Sequence, residues 1–303
     1  MKVSIVGLSG CGKTSIIKTT FSATMPEETQ KLAPTVMFEI HEHPYLGLSV
    51  ALFDFGGQEQ YRESYLSKPE IFAGTDVLIL VYDLHNPDQL ERENEYFSEI
   101  LAKISKDPKP AVNVFFHKYD AEAYPKKNLE VNFKNAKKAA QKLLSGWDAA
   151  YHVTSIFDTE KLSMILRDIL MTAYPALKEH VENAEELLSK IDARILITDT
   201  TGSVVTHNVA GDQKRGLKLR EDLRDFIIAC NTLRENFFAN DSAEFTGKSR
   251  EKKVSCSIFH YVLAVLIMQS GETNKETRQK IDLLLSDMKV FADLVVKAHG
   301  ESD

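Results

Sequence analysis

The chain of 303 residues lacks the features of a secreted, membrane-spanning or nucleic-acid-binding protein. Its three cysteines, Cys11, Cys230 and Cys256, are far apart and have no metal-ligand spacing, which favours a reducing compartment. The longest apolar run, 261–268, is far shorter than the roughly 20 residues that a membrane span needs. The net charge is −7, and no block of Lys and Arg is dense enough to contact a phosphate backbone. We therefore expect no nucleic-acid partner.

The two ends of the sequence also lack targeting signals. Strand-like residues begin at Lys2, so we expect neither a signal peptide nor an amphipathic leader. Lys2 stands where myristoylation needs a glycine, and the final residues, 300–303, contain no cysteine for prenylation. We expect a cytoplasmic protein that reaches a membrane only through a partner.

The first half of the chain alternates short apolar runs with stretches of helical periodicity. Residues 77–81 and 112–116 are almost entirely apolar, as is typical of strands buried on both faces. Two further runs, near 36–40 and 50–53, flank a turn and predict a hairpin. This alternation predicts a doubly wound, mostly parallel α/β sheet over residues 1–175.

The pattern changes after Pro175. An amphipathic helix comes first, then a hairpin about Thr200-Thr201-Gly202, and then a long helix over 219–237. Strand-like runs follow, the longer one over 254–268, and the chain ends in another helix. We predict a second α/β domain, residues 176–303, built as a small sheet with helices packed on it.

A glycine-rich segment follows the first strand directly and opens a helix. It reads Gly7-Leu8-Ser9-Gly10-Cys11-Gly12-Lys13-Thr14 and fits the phosphate-loop pattern. The glycines allow successive backbone N–H groups to point at a phosphate, and the helix N-terminus adds partial positive charge. Lys13 would reach the β and γ phosphates, and the Thr14 hydroxyl would bind Mg²⁺. The predicted nucleotide contacts in this loop are Ser9, Gly10, Cys11, Gly12, Lys13, Thr14 and Ser15.

A second motif, Asp54-Phe55-Gly56-Gly57-Gln58, ends the second hairpin strand. Asp54 would hold Mg²⁺ through a water, Gly57 would donate its N–H to the γ-phosphate, and Gln58 would orient the attacking water. Upstream, Thr35 is the candidate switch threonine, whose hydroxyl would bind Mg²⁺ only when a γ-phosphate is present. Alone, the Gly-Gly turn could be a flexible strand end, but a phosphate loop upstream favours a functional role.

A third motif, His117-Lys118-Tyr119-Asp120, follows the buried strand 112–116. Asp120 offers acceptors to the N1–H and exocyclic amine of guanine, an edge that adenine does not present. The apolar stem of Lys118 can lie along the base plane. Ser155 and Ile156, after the last strand, would complete the base pocket with backbone N–H groups.

Together these motifs resemble the Ras superfamily and, more narrowly, the Rag/Gtr GTPases. Three details carry the resemblance: Ser9 in the phosphate loop, the Gly56-Gly57 pair, and His117 where most GTPases have Asn or Thr. An imidazole donates one N–H and cannot copy both contacts of an Asn, so we expect lower nucleotide affinity than in Ras-like proteins. Rag proteins carry a roadblock/longin-type domain after the GTPase, and residues 176–303 have its element order. The resemblance thus covers the whole chain.

The resemblance implies a GTP- and GDP-binding switch that needs Mg²⁺, dimerises through its C-terminal domain and recruits partners. It leaves open a homodimer or a heterodimer with a related Rag-like or roadblock protein. The run 254–268 gives a β-rich surface that would be costly to leave unpaired. No Arg precedes Thr35, so hydrolysis is expected to be slow and to depend on an activating partner, with an exchange partner for GDP. The alternative is a nucleotide-dependent scaffold in which hydrolysis is incidental or absent.

Overall fold

The computed structural model describes residues 1–21, 24, 26–29, 32–33, 35–45, 48–56, 58–104, 109–120, 123–172, 175–199, 204–208, 242–249, 252–269 and 274–300. The chain divides into two compact units. One comprises Met1–Thr19, Thr24–His43 and Ser49–Leu162, and the other Thr20–Ala23, Pro44–Leu48 and Ser163–Asp303. The domain bounds 1–175 and 176–303 stay predictions.

The first unit is built on a six-stranded sheet. Its strands are β1 (Lys2–Val6), β2 (Phe38–Tyr45), β3 (Leu48–Phe55), β4 (Val77–Asp83), β5 (Ala111–His117) and β6 (Ala149–Val153), in the spatial order β2-β3-β1-β4-β5-β6. The pairs β1–β3, β1–β4, β4–β5 and β5–β6 are all parallel. The predicted doubly wound, mostly parallel sheet is therefore confirmed.

Helices connect these strands, as parallel neighbours require. They are α1 (Lys13–Phe21), α2 (Pro26–Thr29), α3 (Glu59–Leu66), α4 (Leu90–Lys103) and α5 (Lys126–Leu143), with 3₁₀ turns at Pro69–Phe72 and Pro87–Gln89. A further helix, α6 (Thr159–Met171), follows β6, and most of it belongs to the second unit. Every residue of β4 is buried, which explains its continuous apolar sequence. Alternate residues such as Leu80 and Tyr82 pack in one core with Phe97 of α4 and Ala140 of α5.

The second unit contains a five-stranded sheet. Its strands are β7 (Arg194–Asp199), β8 (Val204–His207), β9 (Ser242–Ser249), β10 (Lys252–Phe259) and β11 (Leu263–Gln269), in the order β8-β7-β11-β10-β9. All four pairs are antiparallel. Two helices, α7 (Pro175–Leu188) and α8 (Lys275–Gly300), pack on each other, and α8 contacts β10 and β11. The predicted α/β class of this unit is confirmed, whereas the helix predicted over 219–237 lies outside the described residues.

The expectation that the run 254–268 offers an unpaired surface is wrong. The run forms two strands, β10 and β11, and each is paired on both sides, so the sheet edges are β8 and β9. The two strands are joined by a tight turn in which His260 and Tyr261 have φ values of 46° and 54°. Positive φ is uncommon for any residue with a side chain, although His adopts it more often than Tyr, and the pair lacks the Gly, Asn or Asp that marks a tight turn in a sequence.

A buried arginine links three elements within the second unit. The Arg167 guanidinium donates to the Asp168 carboxylate, to Glu185 of α7 at 2.7 Å and to the Val205 carbonyl of β8 at 2.5 Å. Its partners satisfy a charge that would be costly to bury alone. Within the described residues, no helix is both long enough and apolar enough to cross a membrane.

Candidate functional site

A cleft of about 440 Å³ opens in the first unit, among the loops that follow β1, β4, β5 and β6. Its volume lies in the range that small-molecule sites occupy. Because these parallel strands end at the same edge of the sheet, side chains from distant sequence positions meet there. Most of the predicted nucleotide-binding residues line the cleft: Ser9, Gly10, Gly12, Lys13, Thr14, Ser15, Thr35, His117, Lys118, Asp120 and Ile156.

The phosphate loop has the backbone shape that its glycines permit. Gly10 and Gly12 have φ values of +79° and +100°, a region that other residues avoid. The Lys13 ammonium is buried and donates to the carbonyls of Gly7 at 3.0 Å and Leu8 at 3.1 Å. The third N–H of the ammonium lies 3.7 Å from Cys11 Sγ, a weak acceptor that a phosphate oxygen would readily replace, while the two carbonyls fix the position of Lys13.

Three oxygen-bearing side chains meet beside this loop. The hydroxyls of Thr14 and Thr35 are 2.9 Å apart, and both donate to Oδ2 of Asp54, Thr35 at 3.2 Å. Asp54 is fully buried, and its Oδ1 has no hydrogen-bond partner among the described residues. The three predicted metal-binding residues thus lie together, and Oδ1 of Asp54 could accept a further hydrogen bond.

His117 packs against the phosphate loop. Its Nδ1 lies 2.9 Å from the Thr154 hydroxyl, and the opposite edge of the ring lies against Gly12. A Cβ on Gly12 would meet His117 Cδ2 and Nε2 at 2.8 and 2.9 Å, so no other residue fits there. Burial lowers the pKa of His117 to about 3, with the charges of Lys118 and His85 acting in the same direction. The imidazole is therefore neutral at neutral pH.

One carboxylate oxygen of Asp120 accepts no hydrogen bond from the described residues. Its side chain is 8% exposed, and its Oδ1 has no hydrogen-bond partner among the described residues. Its Oδ2 lies 3.9 Å from Nε2 of His85, and the His85 ring stacks on Tyr124 with centroids 4.9 Å apart. A buried carboxylate oxygen without a donor, in a cleft, is suited to a ligand N–H.

Four of the predicted site residues, Cys11, Asp54, Gln58 and Ser155, are not among the described residues that line the cleft. Cys11 is fully buried beneath the loop, where burial raises the pKa of its thiol, so the thiol is protonated and unreactive. Ser155 turns its hydroxyl back to accept the Phe157 N–H at 3.0 Å. Gln58 directly precedes α3, and its carbonyl accepts the N–H groups of residues 61 and 62 in the first turn of that helix. Gly57 lies outside the described residues.

Sequence reasoning missed several residues that line the cleft: Thr29, Leu32, Ala33, His85, Ala123 and Phe157. His85 had a usable signal, since it follows the buried strand β4 just as Lys118 follows β5. Thr29 ends the short helix α2, and the others occupy positions outside the predicted motifs.

Comparison with known proteins agrees with this geometry. The family model of the Gtr1/RagA G protein conserved region matches residues 2–227, well over half of the chain. The chain belongs to the Gtr1/RagA G protein family. It is thus a small GTPase of the Ras superfamily, and the resemblance stated from the motifs is confirmed.

Individual relatives are distant but cover most of the chain. Ras-related GTP-binding protein A of Dictyostelium discoideum is 29% identical over 248 residues, covering 78% of this chain and 81% of its own. GTP-binding protein gtr1 of Schizosaccharomyces pombe is also 29% identical over 248 residues, covering 78% of this chain and 79% of its own. GTP-binding protein gtr2 of the same yeast is 27% identical over 161 residues, covering 52% of this chain and 50% of its own.

Proposed function

We propose that the protein is a guanine-nucleotide switch that hydrolyses GTP slowly to GDP and phosphate and that works as a dimer formed through residues 176–303. The observation that carries the nucleotide part is the cluster of Thr14, Thr35 and buried Asp54 beside a cleft. That cleft is lined by both threonines and by Asp120, whose Oδ1 has no hydrogen-bond partner among the described residues. Membership of a G protein family supports the same activity.

The donor set beside the phosphate loop fits Mg²⁺. Hydroxyl and carboxylate oxygens are the hard ligands this ion prefers, and it commonly keeps several of its waters. Thr14 and Thr35 would bind through their hydroxyls and Asp54 through a water, which would use Oδ1 of Asp54, an atom with no hydrogen-bond partner in the described part of the chain. Bound there, Mg²⁺ would neutralise negative charge on the β and γ phosphates.

Residues of the chain itself would bind the phosphates and the base and would orient the attacking water. Lys13 would turn the N–H that contacts Cys11 Sγ to the β and γ phosphates, and the backbone N–H groups of the loop would hold the β-phosphate. Asp120 would accept from the guanine N1–H and N2 amine, which gives selectivity against adenine. Gln58, at the start of α3, would orient the attacking water.

Slow hydrolysis follows from a missing positive charge. The segment before Thr35 contains no Arg that could reach the transferred phosphate in cis. On α3, the guanidinium of Arg62 lies over the Tyr96 ring, 5.3 Å from its centroid, and 4.0 Å from the Glu59 carboxylate. We propose that an activating partner supplies the arginine and that a second partner promotes GDP release.

The dimer partner is a second copy or a related Rag-like or roadblock chain. The likeness of this chain to both gtr1 and gtr2 of one yeast supports a related second chain. A nucleotide-dependent scaffold is the second candidate, favoured by the position of Gln58 outside the described lining of the cleft. The scaffold function would be supported if partner binding depended on the bound nucleotide while the protein showed no measurable GTP hydrolysis.

Competition binding tests the nucleotide assignment. Full-length protein in Mg²⁺ should bind GTP and GDP far more tightly than ATP. Asp120→Asn replaces an acceptor with a donor, so its preference should move toward xanthine nucleotides by at least about 10-fold. Asp88→Asn, an exposed position outside the cleft, is the control and should keep the guanine preference. Equal affinity of the wild-type protein for ATP and GTP would exclude the assignment.

A further inference from the structure

Asp83 is a buried carboxylate behind the cleft that the nucleotide contacts described above do not use. It ends β4, and its side chain is only 4% exposed. Its Oδ2 lies 2.7 Å from the Lys118 ammonium, and its Oδ1 accepts the backbone N–H of His85 at 3.0 Å. Asp83 does not belong to the described lining of the cleft, so it would act on a ligand only through a neighbour.

The neighbour is Lys118, whose ammonium joins two parts of the site. The same Nζ that contacts Asp83 donates to the Gly10 carbonyl of the phosphate loop at 2.6 Å. The Lys118 backbone has a φ of +62°, which is uncommon for a residue with a side chain. The backbone and the ammonium of Lys118 are thus both fixed, and the residue between these two points lines the cleft. A free lysine would lose considerable rotamer entropy on stacking against a base, a cost that this anchoring removes in advance.

Glu93 of α4 orients Asp83. Its Oε1 accepts the Asp83 backbone N–H at 2.9 Å, and its side chain is almost completely buried. Burial raises the pKa of Glu93 to about 8. At neutral pH the Glu93 carboxyl is therefore protonated, and Asp83 supplies the negative charge that faces Lys118.

We propose that Asp83 is a positioning residue for nucleotide binding, which through Lys118 holds the base-contacting stem and the phosphate loop in one arrangement. This inference rests on the guanine-nucleotide function proposed above. The competing role is purely structural, an anchor for the end of β4. An anchor would affect folding stability, and its effect on nucleotide binding would not depend on the Lys118 ammonium.

A double-mutant cycle separates these roles, because coupled residues show non-additive effects. The measured quantity is the dissociation rate of a fluorescent GDP analogue from the full chain in Mg²⁺. Asp83→Ala should raise the rate by about 10- to 100-fold, the usual effect of removing a charge-assisted hydrogen bond. Lys118→Met keeps the apolar stem and removes the ammonium. In that background Asp83→Ala should raise the rate no further.

Two further variants serve as controls for this experiment. Asp88→Asn removes an exposed carboxylate from the same connection between β4 and α4 and should leave the rate unchanged. Asp83→Asn keeps the side-chain volume, so it should fold if Asp83→Ala does not, and it should show a smaller increase that Lys118→Met again masks. Asp83 variants that match the wild-type rate, or that add their full effect to Lys118→Met, would overturn the inference. Wild-type protein that binds no guanine nucleotide would instead overturn the proposed function.

Discussion

Gly56 donates its backbone N–H to the Met37 carbonyl at 2.7 Å, which joins the end of β3 to the segment carrying Thr35. The approach is so close that a Cβ on Gly56 would lie 2.6 Å from the Met37 oxygen and 2.7 Å from the Thr35 oxygen. Backbone atoms cannot yield as a flexible side chain can. A glycine at this position therefore allows Thr35 to reach Asp54 and Thr14.

Gly56→Ala should therefore weaken the response to the γ-phosphate. The added methyl group would push the Thr35 segment away, and the Thr35 hydroxyl is proposed to contribute only in the GTP state. We expect the ratio of GTP-analogue affinity to GDP affinity to fall by roughly 10-fold, equivalent to about 1.4 kcal/mol. Titration calorimetry with both nucleotides measures this ratio. Gly146→Ala, where a Cβ would meet nothing within 4 Å, is the matched control. An unchanged ratio in Gly56→Ala would show that the contact with Met37 has no role in nucleotide sensing.

Much of the fold could be predicted because its signals are local. The apolar sequence of β4 and β5 and the glycines of the phosphate loop each follow from contacts within a few residues or from burial on both sheet faces. The carboxyl ends of parallel strands meet, so the positions of Thr14, Asp54 and Asp120 in one region followed from topology.

The remainder depends on contacts between residues far apart in sequence. Asp83 and Glu93 look like surface carboxylates in the sequence, yet both are buried because they are partners of backbone N–H groups and of Lys118. The turn at His260 and Tyr261 is imposed by the pairing of β10 with β11 and not by a local turn preference. The contact of His117 with Gly12 likewise joins two loops that only the sheet brings together.

Gln58→Leu should slow an already slow hydrolysis. Wild-type protein alone should cleave GTP at about 10⁻⁴ to 10⁻² per second, by analogy with unassisted small GTPases. Leucine removes the amide that would orient the attacking water, so the rate should fall by roughly 10-fold or more while GTP affinity is preserved. Single-turnover assays measure the rate, with Gln141→Leu on the exposed surface of α5 as control. If Gln58→Leu cleaves GTP as fast as wild type, another group positions the water.

Glu93→Gln should remove a pH dependence of folding stability. The folded-state pKa of Glu93 is raised by burial from 4.5 to about 8. Between these values the folded state holds a proton that the unfolded state releases, so this group's stabilising contribution is complete below the unfolded pKa. It is lost as pH rises through the folded pKa. Glutamine stays neutral and keeps the acceptor for the Asp83 N–H.

Denaturant unfolding of the nucleotide-free protein from about pH 6 to about pH 9 measures the effect. Relative to Glu93→Gln, the wild type should lose about 2–3 kcal/mol over this range, since one proton per molecule is linked to unfolding over roughly two pH units. Glu95→Gln, an exposed position on the same helix, should follow the wild-type profile. A constant difference between wild type and Glu93→Gln across the range would mean that Glu93 is ionised in the folded protein.

Native mass should show that association is independent of the bound nucleotide. The proposed dimer forms through residues 176–303, whereas the nucleotide cleft is built entirely from residues of the first unit. The run 254–268 no longer supports this idea, because β10 and β11 are interior strands. Among the described strands, β8 and β9 are the edges of this sheet. An edge strand can extend its sheet into a second chain through main-chain hydrogen bonds, and natural proteins rarely leave such an edge open.

Sedimentation equilibrium of the full chain at micromolar concentration measures the native mass. The three samples are nucleotide-free, with GDP, and with a non-hydrolysable GTP analogue. A homodimer predicts twice the chain mass of 34.2 kDa in all three states. A monomer in all three would exclude the homodimer, and mixing with a related Rag-like chain would then test the heterodimer by the appearance of a one-to-one complex. A dimer that forms with only one nucleotide would contradict the proposal in either form, because association would then require the first unit to take part.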